Sequence, residues 1–445
     1  KAAKGINLSL DNRLQNKEGY QLIIAPKQVL IKGGSPAGVF YGIQTLLQQL
    51  TNGDLRCGTI EDAPRYEWRG YMLDEARHFS GEKRVKQILD LMAYYKMNRF
   101  HWHLTDAQGW RIEIKQYPKL ATIGGEGCHS DPDTPAQYYT QEQIRDIIAY
   151  AKERHIEIIP EIDMPGHAEA ALHSYPELGC FNRPVEIPKL GFTPNIFCAG
   201  KENTLQFLKN VLDEICTLFP SSYIHLGGDE APKDNWNKCP DCQKRITDLG
   251  LKNSHDLQLW FSAQMAEHLK SKGKKAIFWG DVVYNDGYPL PDNIVIQWWN
   301  YRGHKDLALR NALRHHYPVI CSTNYYTYLN FPLTPWKGYE QARTFDLKDV
   351  YMNNPSYKAT QESNPLIRGM GCALWTDDGV KEYMIDRRLF PRILALAEQM
   401  WHNGPLMDFD AFYQRILHKK KWFENRGYGF GPALTEETDN NYKWE

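Results

Sequence analysis

The chain has 445 residues, 42% hydrophobic and 24% charged, with 53 basic against 54 acidic side chains and a net charge of -1. That mix excludes a disordered chain, and without a basic stripe or charge block it gives no support to a nucleic-acid or anionic-membrane partner. The longest apolar runs, such as residues 147–151 and 156–160, are too short to span a bilayer.

Taken in chain order, residues 20–25 (YQLIIA) and 28–32 (QVLIK) read as two short strands around a Pro26-Lys27 turn. Residues 35–50 then read as a helix with apolar positions at Val39, Ile43, Leu46, Leu47 and Leu50, capped by Ser35 with Pro36 in its first turn. Residues 55–60 return as a further strand, and Asp62-Ala63-Pro64 marks a boundary. This gives a small α/β domain over 1–63, which at about sixty residues needs to dock on the larger C-terminal part of the chain.

After Pro64 the pattern becomes β-then-α. Apolar strand cores fall at 69–73, 98–103, 156–160, 223–227, 276–279, 294–298, 318–322 and 371–375, with helical stretches at 81–96, 141–154, 202–218, 254–272, 305–315 and 385–402. The 202–218 stretch puts Leu205, Leu208, Val211, Leu212, Ile215 and Leu218 on one face. Eight such units over 64–403 predict an α/β fold, a (β/α)8 TIM barrel, with an open doubly wound sheet as the rival. Helix-poor connections at 280–293 and 323–370 predict a barrel with a helix short or missing there, and 404–445 reads as a C-terminal helix near 409–423 followed by a tail.

Nine cysteines are an odd count, so at least one is free or pairs outside the chain. Cys239-Pro-Asp-Cys242 is the single CxxC, and no second pair has zinc-like spacing, so these two read as surface thiols or a local disulfide and no metal is expected. The chain opens on Lys-Ala-Ala-Lys without an initiator Met or an apolar signal region.

A barrel places its chemistry at the C-terminal ends of its strands. His225-Leu-Gly-Gly-Asp-Glu230 carries two glycines that release the strand from its pleat, so that Asp229 and Glu230 both face one pocket; two such acids repel, which favours a protonated general acid. The competing reading is a strand end capped by acids. In Glu161-Ile-Asp-Met-Pro-Gly-His167, the Pro-Gly turn brings His167 back beside Asp163, an arrangement that fixes an imidazole tautomer; a satisfied core histidine is the alternative. His101 and His103, two apart, share a strand face, which makes a metal site conceivable, although barrel packing with Asp106 reaching the pocket is favoured. Arg77 follows strand one. Trp279, Trp298 and Trp375 end strands five, six and eight and, as a set, suit the apolar face of a pyranose, with Tyr328 adding a hydroxyl. That gives the 13% aromatic content, with 13 Trp, two destinations: Trp68, Trp102, Trp260 and Trp401 for packing, and a minority for a ligand.

These motifs together resemble the β-N-acetylhexosaminidases of glycoside hydrolase family 20. The residues concerned are Arg77 in MLDEARHF, then NRFHWHLTDAQGWRIEI, PEIDMPGH, HLGGDE, FWGD and ALWTD, in that family's order, over about residues 18–402. The resemblance implies a (β/α)8 barrel after a small α/β domain, here with a shortened first half. It also implies an exception to the two-carboxylate rule, in which the substrate's own 2-acetamido oxygen attacks and forms an oxazolinium ion with net retention. By the same resemblance Glu230 is the general acid/base, Asp229 holds the acetamido N–H, and Tyr328 donates to the acetamido oxygen. Trp279, Trp298 and Trp375 enclose the sugar, Arg77 holds the 3- and 4-hydroxyls, Asp163 and His167 form the polar network behind Glu230, and Asp106 supports the pocket. Two positions depart from the family pattern: Asp377 stands where Glu is usual and Asn330 where Asp is frequent, both on the 4/6-hydroxyl side, and the 323–345 loop with Trp336 is expected to reshape that side.

The expectation is a retaining exo-β-N-acetylhexosaminidase that removes terminal β-linked GlcNAc, with GalNAc or 6-substituted GlcNAc as variants, from a glycan or chitooligosaccharide, with no cofactor. Its rivals are a lacto-N-biosidase-like enzyme releasing a disaccharide, a catalytically silent sugar-binding relative, and a metal-dependent barrel hydrolase using His101 and His103. Family members of this length point to a periplasmic or extracellular bacterial location. The sequence is silent on oligomeric state.

Overall fold

A computed structural model describes residues 5–50, 55–127, 133–331, 346–377, 380 and 382–429. The N-terminal unit is a four-stranded sheet in the order β1-β3-β2-β4, built from β1 (Gly5–Leu10), β2 (Tyr20–Ala25), β3 (Gln28–Gly33) and β4 (Gly58–Asp62). β1 runs parallel to β3, and the other pairs are antiparallel. Alternation along β2 buries Tyr20, Leu22 and Ile24 on one face, where they meet Tyr41 and Leu46 of the helix Pro36–Leu50 and Trp401 from the barrel. The Ser35 hydroxyl accepts the Ala37 amide at 3.2 Å, as the capping pattern predicts. β1 is absent from the sequence expectation. Its alternating Ile6, Leu8 and Leu10 are exposed at an edge, so the period-2 pattern there carries no burial signal.

The remainder is a closed barrel of eight parallel strands in sequential order. These are Trp68–Asp74, Arg99–His103, Glu157–Glu161, Tyr223–His225, Lys275–Trp279, Ile294–Trp298, Val319–Cys321 and Ile367–Leu374, close to the eight predicted cores. Two side-chain sets follow from the pleat. Ile294, Ile296 and Trp298 join the large core between strands and helices, whereas Trp68, Ile159, Ile277, Val295 and Ile320 form a separate cluster inside the barrel. The helix Glu202–Leu218 buries all six predicted apolar positions. The predicted helix 385–402 is two helices, Glu382–Leu389 and Arg392–Trp401, because Pro391 offers no N–H to continue the first. The 280–293 connection holds only the short turn Gly280–Val283. The 323–370 stretch is less helix-poor than expected, with short helices at Asn324–Thr327, Leu347–Asn353 and Pro355–Thr360; Trp336 and most of the loop around it lie outside the described residues. Among the described residues no helix is long and apolar enough to cross a membrane.

Candidate active site

The C-terminal ends of the barrel strands open on a cavity of about 200 Å3. Arg77, Asp106, His167, Asp229, Glu230, Trp279, Tyr328, Asn330, Trp375 and Asp377, all singled out from the sequence, line it. Trp299, Arg302, Asn324 and Phe331 also line it.

The acidic pair is placed by the loosened end of strand four. Gly227 and Gly228 have φ of +65° and +93°, and Glu230 itself sits at +46°, so the chain turns sharply and both acids reach the pocket. Asp229 is nearly buried, at 11% side-chain exposure, while Glu230 is 42% exposed toward the opening. The Glu230 backbone amide donates to Asp281 Oδ1 at 3.2 Å, which ties the strand-four loop to strand five.

A chain of alternating charges runs beneath the pair. Glu161, fully buried, receives His101 Nε2 at 2.7 Å, His103 Nδ1 at 2.6 Å and Trp279 Nε1 at 2.8 Å. His103 turns its other nitrogen to Asp106 at 2.7 Å, and Asp106 accepts His167 Nδ1 at 2.9 Å. His167 Nε2 then lies 3.4 Å from Asp229 and 3.7 Å from Glu230. Burial pushes the pKa of His103 and of His167 down, but the flanking carboxylates outweigh it and hold both well above the ordinary histidine value. Burial likewise pushes Asp106 up, and Arg77 with His167 overrides it and holds this carboxyl well below the usual range. His101, by contrast, is driven down to about 4, chiefly by burial. His167 is therefore held toward its imidazolium form between Asp106 and the acidic pair.

Arg77 closes the inner end. Its guanidinium meets Asp74 at 3.0 Å, Asp106 at 2.8 Å and Gln108 at 2.9 Å, and lies 5.5 Å from the Trp375 ring. The aromatic wall is continuous: Trp279 and Trp375 are 5.8 Å apart, Trp375 and Tyr328 5.9 Å, and Tyr328 stacks on Trp299 at 6.2 Å with a 6° interplanar angle.

Three expectations are corrected. Trp298 does not reach the cavity: it faces outward with Ile294 and Ile296, its indole N–H held by the Lys305 carbonyl at 2.8 Å. The wall residue on strand six is Trp299, one position on and therefore on the inward side, where it donates to Asp281 Oδ2 at 2.5 Å. The second correction concerns His167, whose hydrogen-bonded carboxylate is Asp106 and not Asp163. Asp163 does lie beside it, with a carboxyl oxygen within 4.8 Å of His167 and Asp229, but its Oδ1 accepts the Gly228 amide at 3.2 Å. Burial, then the nearby Asp229 charge, push its carboxyl well above the ordinary value. The third is the cysteine pair: Cys239 and Cys242 are fully buried, not surface thiols, and no disulfide is present among the described residues.

Sequence reasoning counts Trp299, Asp281 and Glu161 among the residues at the strand ends without giving them a site role, offers His103 only as a conceivable metal ligand, and misses Arg302. Strand parity carries the signal for Trp299, His103 and Glu161, each of which shares an inward face with a residue two positions away; Asp281, in the turn after strand five, has no such signal. His101 and His103 do share a face, as their spacing predicts; the group they share is Glu161.

Comparisons with known proteins match the chain over nearly its whole length. Residues 66–404 match the glycosyl hydrolase family 20 catalytic domain and residues 1–63 match domain 2 of the same family. A beta-hexosaminidase of Porphyromonas gingivalis is 38% identical over 98% of this chain, which spans 57% of that protein. One from Akkermansia muciniphila is 31% identical over the full chain, which spans 91% of it. The crystal structure of a beta-N-acetylhexosaminidase from Bacteroides fragilis superposes with a TM-score of 0.91 at 59% identity, covering 99% of this chain and 88% of that one. A mutant Streptomyces plicatus beta-hexosaminidase in complex with GlcNAc superposes at 0.83 with 31% identity, covering 97% and 85% of the two chains. A closed parallel barrel with adjacent acids at the end of its fourth strand, matched over nearly its whole length at these identities, is a member of glycosyl hydrolase family 20.

Proposed function

We propose that this protein is a retaining exo-β-N-acetylhexosaminidase acting on terminal β-linked GlcNAc through the substrate's own acetamido group. One observation carries the reading: Asp229 and Glu230, adjacent in the chain, face the same aromatic-walled cavity with the His167 imidazole within 3.7 Å of both. The complex of the Streptomyces relative with GlcNAc supports the choice of sugar.

In this reading the sugar sits against Trp279, Trp299 and Trp375, its acetamido group between Asp229 and Tyr328. Asp229 accepts the acetamido N–H, and Tyr328 donates to the acetamido oxygen, so that oxygen is aimed at the anomeric carbon. Glu230 faces the opening, where the leaving group departs. It gives its proton to the glycosidic oxygen as the oxazolinium ring closes, then takes one from the water that opens the ring. The positive charge on His167 stabilises the Glu230 carboxylate left after the first proton transfer, and Asp229 offsets the charge on the ring. Arg77 closes the inner end of the cavity, which limits it to a chain terminus. Asn330 Oδ1 is buried and has no hydrogen-bond partner among the described residues; with Asp377 and Arg302 it forms the part of the lining that sets tolerance at the 4- and 6-positions. Comparing kcat/KM on GlcNAc, GalNAc and 6-sulfo-GlcNAc aryl glycosides reads that tolerance directly.

Glu230→Gln tests the proposal. The variant keeps the fold by circular dichroism and loses about 10²- to 10⁴-fold in kcat on glycans with poor leaving groups. Turnover like wild type, or release of a disaccharide in place of GlcNAc by the wild type, would sink the assignment.

A further inference from the structure

Four cysteines from two separate loops meet outside the lining of the cavity. Cys180 and Cys198 come from the loop after barrel strand three, Cys239 and Cys242 from the start of the helix Pro240–Asp248. The Cys198 Sγ lies 3.5 Å from that of Cys242 and 3.7 Å from that of Cys239, Cys180 lies 4.0 Å from Cys242, and all four sulfurs fall within 4.8 Å of one another. A disulfide needs about 2.05 Å, so none of these pairs is bonded. Zinc–thiolate bonds of about 2.3 Å in a tetrahedron set the sulfurs about 3.8 Å apart, within the range seen here.

The backbone builds this geometry from hydrogen bonds unrelated to the sulfurs. An antiparallel bridge between Gly179 and Phe197 sets Cys180 and Cys198 side by side, with the Cys198 amide on the Leu178 carbonyl at 2.9 Å. On the other side, the Gln243 amide donates to the Cys239 carbonyl at 3.0 Å, which starts the helical turn that brings Cys242 round beside Cys239. The two loops touch: a Cβ on Gly200 would fall 2.2 Å from the Asp241 carbonyl carbon. Cys198, Cys239 and Cys242 are shut away from water, and Cys180 is partly buried.

We propose that Cys180, Cys198, Cys239 and Cys242 bind one structural zinc ion. Four converging thiolates in a tetrahedral spacing suit zinc, and a multi-iron cluster, whose own sulfides come between the metal and its protein ligands, would spread them farther. Binding releases the four thiol protons and leaves a formal charge of two minus. One cation stands at the adjoining backbone to offset part of it, Lys201 Nζ on the Gly179 carbonyl; Arg245, on the Gly200 carbonyl at 3.1 Å, is already paired with Glu202. The ion would pin the loop after strand three to the segment after Glu230. That loop supports the His167 turn, because the Phe197 amide donates to the Pro165 carbonyl at 3.0 Å.

The test is elemental analysis of the full chain as purified, with thiols counted in denaturant before and after chelation. About one zinc per chain is expected, with these four thiols unreactive until the metal is removed. Cobalt(II) substituted for zinc should give a thiolate-to-metal charge-transfer band. Cys239→Ser/Cys242→Ser should lose both metal and band, while Cys216→Ser retains them. Should the double variant fail to fold, the wild-type metal content and cobalt spectrum still decide. Metal-free protein with reactive thiols or with disulfides would overturn the proposal, and iron as the bound metal would overturn the assignment to zinc.

Discussion

Trp298 and Trp299 show how far one position matters in a strand. Both are large, both stand at the end of barrel strand six, and composition cannot separate them. Parity does: Trp298 packs outward with Ile294 and Ile296, and Trp299 lines the cavity. Trp299→Ala should therefore lower kcat/KM by about 10- to 100-fold with little loss of stability, and Trp298→Ala should cost about 3–5 kcal/mol in denaturant melts with a smaller kinetic effect. Equal behaviour of the two variants would contradict the assignment. Asp281 gives a second expectation. Burial, then Asp229, push its carboxyl up to about 7. Between the ordinary carboxylate range and that value the folded state holds a proton that the unfolded state has lost, so unfolding releases it and stability falls as pH rises across that window. Asp281→Asn removes this slope. The Tm of the variant relative to wild type should rise from about pH 5 to about pH 8, and a constant difference would show that Asp281 does not titrate there.

At the level of elements, the turn after strand four is the part that most constrains the site. Gly227 lies at φ +65°, and a Cβ there would fall 1.7 Å from Asp163 Oδ1 and 2.2 Å from its Cγ. The Asp163 backbone is held in place, its amide donating to the Thr105 hydroxyl at 3.0 Å, so the carboxyl itself would have to turn aside and give up the Gly228 amide it accepts. Gly227→Ala should cost about 2–5 kcal/mol and displace both acids, seen as a lowered Tm together with a collapse of kcat. Unchanged turnover would mean that the acids are not held by this turn. The sequence motif shows why glycine is suited to the position; that the steric partner is Asp163, from strand three, is a fact of the neighbouring strand.

On the scale of the whole molecule, the small sheet domain is anchored to the base of the barrel by polar groups as well as by its apolar face. Arg69, fully buried on barrel strand one, binds Glu18 at 2.6 Å, the Tyr66 carbonyl at 2.6 Å and the Tyr41 hydroxyl at 3.1 Å. Glu18→Ala leaves that guanidinium without its carboxylate. The cost should be about 2–3 kcal/mol, below that of a wholly enclosed pair because the Glu18 side chain keeps 25% exposure. Thermal melts should show the loss, with KM for an aryl β-GlcNAc unchanged, since the pair lies at the opposite end of the strand from Asp74 and the cavity. A shift in KM would mean that the domain acts on the site.

Local pattern was enough for the barrel and for placing most of the cavity lining at one end of it. Apolar runs of strand length alternating with 3.6-residue periodicity name the eight strands, and the polar residues after each strand are brought to one end by parallel winding alone. Asp229, Glu230, Arg77, Tyr328 and the wall positions Trp279 and Trp375 were legible for that reason. What required tertiary structure was every choice of partner. His167 has carboxylates on strands two, three and four within reach, and only the packed register selects Asp106. Trp299 takes the wall because the closed barrel fixes which parity faces inward. Cys180 and Cys198 join Cys239 and Cys242 because two loops on neighbouring strands fold against each other. Contacts between residues tens of positions apart depend on the register of strands and the crossing of loops, which a one-dimensional pattern does not carry, whereas the type of each element depends on neighbours within a turn or a pleat, which it does.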